Sequence, residues 1–455
     1  MVPDEVLLAI FDFCAGEDSI LIEPVQRERT ETWWQILVHV CRRWRTVVFG
    51  SPRRLNLRLF CTSGTLTDAL DVWRPALPLL ISVPECPTRR IKDIIALLEH
   101  SDRVCQINLR QIPSPRLFGI FWEAMQKPFP ELTDLVLSSL HETMPVLPNS
   151  FLGGSAPRLR ILSLRRILFP DLLKLLLSAT HLVGLYLWDI PHSEYISSEA
   201  MATVLSTLTS LESLHLQFRS PGSLSDQAIR HPPSPTRSSL PVLTEMSFRG
   251  VSEYLEHLVA RINAPQLRKL DIAFFSQIRF DTLQLIRFIS STPKLKELEN
   301  ACVVFGDGHA TVTLSSQTSD HREFAVRIFC EEPNQQVSSL VQILTSSSPP
   351  LSILEDFYIY KDEDSRQDWQ DNLEIVAWLE LLHPFKAVKN LYLSEQFIGC
   401  IGHALRKPVG GRTTEILPAL ENFFWRGSTH STHCILSRRK ALESSFLRGR
   451  SPVTL

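Results

Sequence analysis

Apolar and polar positions along this chain follow two different periods, and the change of period marks its organisation. From residue 32 to 52, TWWQILVHVCRRWRTVVFGSP, the residues Trp33, Ile36, Leu37, Val40, Cys41, Trp44, Val47 and Val48 recur at steps of three and four. That spacing predicts one amphipathic helix. Thr32 and Gln35 fit a capping box, Gly50 and Pro52 stop the helix, and His39, Arg42, Arg43 and Arg45 form its polar face. Upstream, VPDEVLLAIFDFC predicts a shorter helix with Val6, Leu7, Ile10 and Phe11 on one stripe, Pro3 near its first turn, and Asp4 and Glu5 at its positive end. A long polar insertion, 16–31, separates the two. About fifty residues rarely close a core alone, so this unit must lean on the rest of the chain or on another protein.

The period then shortens. Residues 53–103 form a transition: RRLNLRLFC alternates as a half-buried strand does, LPLLISVP reads as a second strand between prolines, and RRIKDIIALLEHSDRVCQINL gives a helix and then a strand. That helix-then-strand unit repeats. Val104-x-x-Ile107-x-Leu109 sets a template that returns at Leu132, Leu159, Leu182 and Leu211, at steps of 28, 27, 23 and 29 residues. Looser copies begin at Leu243, Leu267, Leu295, Leu354, Val388 and Leu420. Each unit has an apolar side that it cannot bury alone, and stacking buries it, so the pattern predicts an irregular leucine-rich-repeat solenoid over 104–426. Strand-like runs at 310–314 and 324–329 predict a β-hairpin, 302–330, inserted in or decorating it. A helix is expected over 336–344 and another from Trp369 to Leu382. SPGSLSDQAIRHPPSPTRSS at 220–239 reads as a disordered loop, and 427–455 as an irregular tail. The fold class expected is therefore α/β.

Composition narrows the partners. With 47 basic against 49 acidic residues, no long-range field favours nucleic acid or an anionic membrane. The nine cysteines are scattered, with no CxxC pair, which points to reduced thiols rather than a metal site or a disulfide framework. No basic-then-apolar leader opens the chain and no apolar run reaches the length of a membrane span, so a cytoplasmic or nuclear protein is expected.

Val2-Pro3-Asp4-Glu5-Val6-Leu7-Leu8-Ala9-Ile10-Phe11 followed by Val40-Cys41-Arg42-Arg43-Trp44-Arg45 resembles the F-box, whose pattern is Leu-Pro-x-Glu, an apolar helix, and then Val-Cys-(Arg/Lys)-x-Trp. The chain departs from it in having Val2 for Leu and in the insertion 16–31. With Ser-Pro-Arg-Arg-Leu at 51–55, His-Ser-Asp-Arg-Val at 100–104 and the repeats, the whole arrangement resembles the expanded F-box and leucine-rich-repeat proteins of mushroom-forming (basidiomycete) fungi. The resemblance makes 1–52 an F-box-like helical domain. It implies a substrate receptor of an SCF-type (Skp–cullin–F-box) ubiquitin ligase, whose helices dock through Pro3, Val6, Leu7, Ile10, Phe11, Val40 and Trp44 on a Skp-type adaptor. Through that adaptor the chain would reach a cullin and a RING subunit.

In a solenoid, alternate residues of each strand face its concave side. Tyr186, Trp188, His215, Tyr358, Tyr360, Tyr392, Phe424 and Arg426 fall there, and aromatic residues with Arg are the types enriched where proteins bind one another, so these are the expected target-binding residues. Motifs for catalysis are missing: there is no P-loop, GxGxxG after a strand, HExxH or GxSxG, and Gly410-Gly411 lacks the Lys-Ser/Thr of a phosphate loop. Cys41 beside His39 does not face it on a helix. A non-catalytic adaptor without cofactor or metal is expected, with no nucleic-acid or membrane partner. The alternative is a leucine-rich-repeat scaffold whose N-terminal helices only cap the solenoid. The two differ in whether Trp33, Val40 and Trp44 are exposed or buried against residues 53–110.

Overall fold

In the computed structural model the described residues are 2–14, 33–51, 55, 57, 59–61, 77–83, 91–112, 115–191, 195–219, 237–277, 280, 282–296, 298–316, 322–346, 351–362, 365, 375–406 and 416–426. They divide into two units, Met1–Ile190 and Pro191–Leu455.

The first unit opens with α1 (Asp4–Cys14), α2 (Trp33–Val40) and α3 (Arg42–Gly50). The single helix expected over 32–52 is two. Cys41 adopts an extended backbone (φ −159°, ψ 168°) and its Sγ accepts the Trp44 N–H at 3.4 Å, which is the work of an N-cap. Arg45 Nε donates to the Val38 carbonyl at 2.9 Å, serving one of the carbonyls that α2 leaves unpaired at its end. Thr32 of the expected capping box and the insertion 16–31 lie outside the described residues. Both α1 and α2 pack on α3. Their shared core is Leu7, Phe11, Trp34, Val38, Val47 and Val48, all buried.

A parallel sheet follows: β1 (Leu59–Cys61), β2 (Leu79–Val83), β3 (Val104–Ile112), β4 (Asp134–Ser139), β5 (Ile161–Arg165) and β6 (Gly184–Ile190), side by side in chain order. Helices α4 (Ile91–Glu99), α5 (Pro115–Ala124) and α6 (Leu172–Ser178) lie between strands, and between β4 and β5 a 3₁₀ turn, Phe151–Gly154, takes the helix's place. The sheet reaches back into the stretch read as a transition, since β2 pairs with β3. Its register is that of the sequence template: Ile107, Leu135, Leu162 and Leu185 form one row, and Leu109, Leu137, Leu164 and Leu187 the next. All eight are buried. Each such leucine contributes ~1.5–3 kcal/mol when fully buried, so the rows are the continuous core that a single repeat lacks.

The second unit continues the rule with α7 (Ser198–Leu205), β7 (Ser213–Phe218), β8 (Ser238–Ser239), β9 (Glu245–Gly250), α8 (Ser252–Val259), β10 (Ile262–Asn263), β11 (Lys269–Phe274) and α9 (Leu283–Ser291). After the 3₁₀ turn Pro293–Lys296 come β12 (Asn300–Gly306), β13 (His309–Ser315), β14 (Glu323–Phe329) and α10 (Pro333–Ser346). The unit ends with β15 (Asp356–Lys361), α11 (Ile375–Leu382), β16 (Asn390–Ser394), α12 (Glu395–Arg406) and β17 (Asn422–Arg426). Strand order is β7-β9-β11-β14-β13-β12-β15-β16-β17, and β8 and β10 pair separately. Ser238 and Ser239 thus end the expected loop 220–239 in a short strand; residues 220–236 and the tail 427–455 lie outside the described residues.

The expected hairpin is a three-strand meander. It lies inside the sheet rather than on it: β12–β13 and β13–β14 are antiparallel, while β14 runs parallel to β11 and β12 parallel to β15. The inward residues explain the place. Ala301, Val303 and Phe305, then Ala310, Val312 and Leu314, then Phe324, Val326 and Ile328 continue the buried rows of the repeats. Leu295, read as the start of a strand copy, belongs instead to the 3₁₀ turn.

Neighbouring repeats are also tied by polar groups. Glu256 on α8 is buried, and its carboxylate accepts the Gln284 and Leu285 N–H groups at 2.6 and 2.7 Å. It caps α9 from the preceding helix, where Thr282, at the N-cap position, makes no side-chain cap bond. Gln336 on α10, also buried, donates to the carbonyls of Cys330 (2.8 Å) and Gly306 (3.3 Å), stitching the meander to the helix that follows it.

Candidate functional site

Two surfaces collect the residues named from sequence. On the helical unit, Phe11 and Trp44 meet edge to face, ring centroids 5.0 Å apart, which directs one side of α1 inward with Leu7. The other side stays in water: Pro3 is exposed, as are Val6 (46%) and Ile10 (48%), and on α2 so is Val40 (56%). Of the seven residues expected to dock an adaptor, these four are therefore accessible, Trp44 is half-buried, and Leu7 and Phe11 belong to the core. Sequence reasoning passed over Phe13 (91% exposed) and left Ile36 (73%) out of the docking set. The signal was present in the spacing Val2, Val6, Ile10, Phe13 and in Ile36 to Val40. Arg43 bonds the Asp4 carboxylate at 2.6 Å and the Val2 carbonyl, holding the start of α1 against α3.

The other surface is the strand face opposite the helices, and it must be taken unit by unit. In the first unit Tyr186 and Trp188 both point to it from β6 and are half-buried. Tyr186 folds back over Gly184, where a Cβ would stand 2.7 Å from its ring, so the glycine makes the room. Trp188 is in register with Arg165, whose Nε reaches Asp189 at 3.3 Å. Asp189, like Gln111 and Arg166, has a positive φ (58°, 53° and 58°) two residues after the last leucine of its copy, a backbone turn that recurs at the same place in three of the copies.

In the second unit the registers set three rows across the strands. At the strand starts stand Glu245, Lys269, Glu323, Ser315, Asn300, Asp356, Asn390 and Asn422; in the middle Ser247, Asp271, Ala325, Thr313, Cys302, Tyr358, Tyr392 and Phe424; at the ends Arg249, Ala273, Arg327, Thr311, Val304, Tyr360 and, past β16, Arg426. His215 joins the middle row beside Ser247. Tyr358, Tyr392 and Phe424 stack as a ladder, with centroids 4.3 and 4.8 Å apart and planes within 12° and 14°. Beneath it runs an amide ladder, Asn422 Nδ2 to Asn390 Oδ1 and Asn390 Nδ2 to Asp356 Oδ1, both 2.8 Å. The ring of Tyr360 lies 6.0 Å from that of Tyr358. Arg426 holds its register position on β17, and its side chain lies outside the described residues.

The opposite end of the face is charged. Glu245 takes Lys269 at 3.1 Å and lies 3.9 Å from His215. Burial holds the His215 imidazole below its ordinary pKa, with Lys269 adding to that and Glu245 and Asp271 opposing it. Lys269 is raised despite partial burial, chiefly by its hydrogen bond to Glu245. Burial pushes the thiols of Cys61 and Cys302 up to about 12, which keeps them protonated at neutral pH. Among the described residues no group of three or more His, Cys, Asp or Glu side chains could hold a metal, and no helix is long and apolar enough to cross a membrane.

The repeats define a class, an α/β protein of strand–helix repeats with leucine-rich strands. No family model and no curated protein matches the chain. Among solved structures it is similar to the leucine-rich repeat-containing protein LegL7 of Legionella pneumophila, at 12% identity over 87% of this chain and 99% of that one, with a TM-score of 0.28. A superposition that loose carries no argument; the class rests on the registers and buried rows of the chain itself.

Proposed function

We propose that the chain is the substrate-recognition subunit of an SCF-type ubiquitin ligase, in which the N-terminal helices bind a Skp-type adaptor and the strand face binds the protein to be ubiquitinated. The observation that carries the reading is the division of apolar residues on α1 and α2. Leu7, Phe11, Trp34 and Val38 complete a core with α3, and Val6, Ile10, Phe13, Ile36 and Val40 remain in water. Exposed apolar residues at three- and four-residue spacing on helices already packed on their other side are what a helix-docking partner needs. Of the three residues that the capping alternative needs buried, Val40 is exposed, Trp44 is half-buried, and the side chain of Trp33 lies outside the described residues. On this reading the chain is non-catalytic and needs no cofactor, ubiquitin transfer belongs to the cullin–RING partners, and the complex works in the cytoplasm or nucleus.

The test is co-purification of full-length protein with a Skp-type adaptor and cullin, wild type against Val6→Asp/Ile10→Asp/Val40→Asp. Recovery by the wild type alone, with unchanged circular dichroism, is the expected result. Failure of the wild type to recover adaptor would leave the repeat-scaffold alternative.

A further inference from the structure

The end row of the second unit's strand face holds two arginines, Arg249 on β9 and Arg327 on β14, both in register with Ala273 on the strand between them. Ala273 has no side chain that could fill the space separating the guanidinium groups. Neither arginine has a carboxylate within ion-pair distance among the described residues, whereas Lys269, at the start of β11, is paired with Glu245. Arg249 is held flat: its Cζ lies 4.3 Å from the ring centre of Phe329 and 5.6 Å from that of Phe275, and its Nε is buried without a hydrogen-bond partner. Arg327 is exposed, and its Nε donates to Thr311 at 3.2 Å. Stacking and this one bond fix both groups and leave their outer N–H donors open, the geometry in which Arg takes a carboxylate two-pronged.

The face is polarised. Its acids Glu245, Glu323 and Asp356 stand at the strand starts, where Lys269 pairs with Glu245, Asp271 stands in the middle row, and the unpaired positive charge lies at the strand ends. Beyond Arg327 the end row continues through Thr311 and Val304 to Tyr360, beside the aromatic ladder. From Ala273 to Tyr360 is four strand spacings, about 19 Å, the reach of roughly six residues of extended chain.

Building on the target-binding role proposed above, we infer that Arg249 and Arg327 form a carboxylate-reading site, and that the target presents an extended segment with an Asp or Glu side chain there and an apolar or aromatic side chain about six residues away on Tyr358 and Tyr360. Charge complementarity selects the acidic residue and the ladder receives the apolar one.

Fluorescein-labelled peptides with one Glu and one Trp spaced about three, six or nine residues apart, with Gln replacing Glu as control, test this by fluorescence anisotropy on the full-length protein. The peptide spaced by about six should bind about tenfold tighter than its Gln control, the gap should narrow at high salt, and Arg249→Gln/Arg327→Gln should erase it. Arg327→Gln alone, an exposed change, should remove most of it should the double variant fold poorly. Tyr358→Ala should weaken the Glu and Gln peptides alike. Equal binding of Glu and Gln peptides, or a preference that survives loss of both arginines, overturns the site. A phosphoserine peptide more than tenfold tighter than the Glu peptide overturns carboxylate as the anion read. Adaptor recovery by the arginine variants is scored in parallel: it should be unchanged, because that readout belongs to the helices and fails or succeeds independently of the peptide preference.

Discussion

On every repeat strand the leucines turn toward the helices and are lost to water, as Leu214 and Leu216 are on β7 and Leu391 and Leu393 on β16. On α1 only Leu7 and Phe11 do so, and Val6, Ile10 and Phe13, no less apolar, stay outside. The repeats have neighbours of their own kind on which to stack, so the number of apolar positions matches the surface available to bury them. Three short helices offer no such second side. The difference teaches where to look for partners: an apolar residue left over after a core has closed is a stronger pointer than an apolar residue as such.

Substitutions inside the repeats should test this most severely. Phe288 on α9 is fully buried, and Phe288→Ala should cost ~3–5 kcal/mol by leaving a cavity that the rows on either side cannot close. Val6→Asp on α1 should change the urea midpoint little, because that side chain is already half in water. A large loss at Val6, seen in urea unfolding of the two variants side by side, would mean that the outer strip is core and would end the comparison.

A polar group in the same interior should stand next. Glu256→Gln keeps the size of the side chain and removes its charge. It places an amide donor where one of the Gln284 and Leu285 N–H groups needs an acceptor, so a cost of ~1–3 kcal/mol is expected. Hydrogen exchange should rise locally at the start of α9, while the amides of β3 and β4 keep their protection.

Half-buried residues should cost less. Tyr392 shares a face with Tyr358 and with Phe424, so Tyr392→Ala should lose about 1 kcal/mol of ring stacking beyond its share of burial, and Tyr392→Phe almost none. Equal losses in the two variants would move the contribution from the rings to the hydroxyl.

How much of this could be read from residues alone follows the same gradient. The LxxLxL copies name the inward rows by themselves, because a period of two admits only one way for leucines to share a face. On α1 the spacing shows one stripe, Val2, Val6, Ile10 and Phe13, but not which stripe lies inside. VLLAIF is apolar all round, so periodicity supplies two stripes, and only the Phe11–Trp44 contact decides which is inside. The break at Cys41 depends on a side-chain cap and on Arg45 reaching back to Val38, neither of which has a period. Arg249 and Arg327 lie far apart in sequence and meet across Ala273 only because the meander turns the chain twice before β14 pairs with β11. Tyr358, Tyr392 and Phe424, one at the same place in three successive copies, were legible as a row; that they stack was not.

The smallest effect belongs to the charged end of the face. Burial keeps the His215 imidazole below its ordinary value of 6.5, and the pull of Glu245 only partly offsets it. The folded chain therefore takes this proton at lower pH than the unfolded chain does. Between the two values the unfolded state binds more protons, so stability rises with pH there. In acidification from pH 7.5 the contribution is intact above about 6.5, declines below it, and levels off once the folded-state value is passed. His215→Gln should remove that part of the profile, so the melting temperatures of wild type and variant should converge or separate only below about pH 6.5 and run parallel above it. Groups whose surroundings are the same in both proteins cancel in the difference. Lys269 still holds Glu245 in the variant, which keeps the comparison clean. A difference that instead grew above pH 6.5 would mean that the Glu245 contact outweighs burial. His215 would then be a charged member of the middle row, and the positive charge now assigned to the arginines alone would extend across the face.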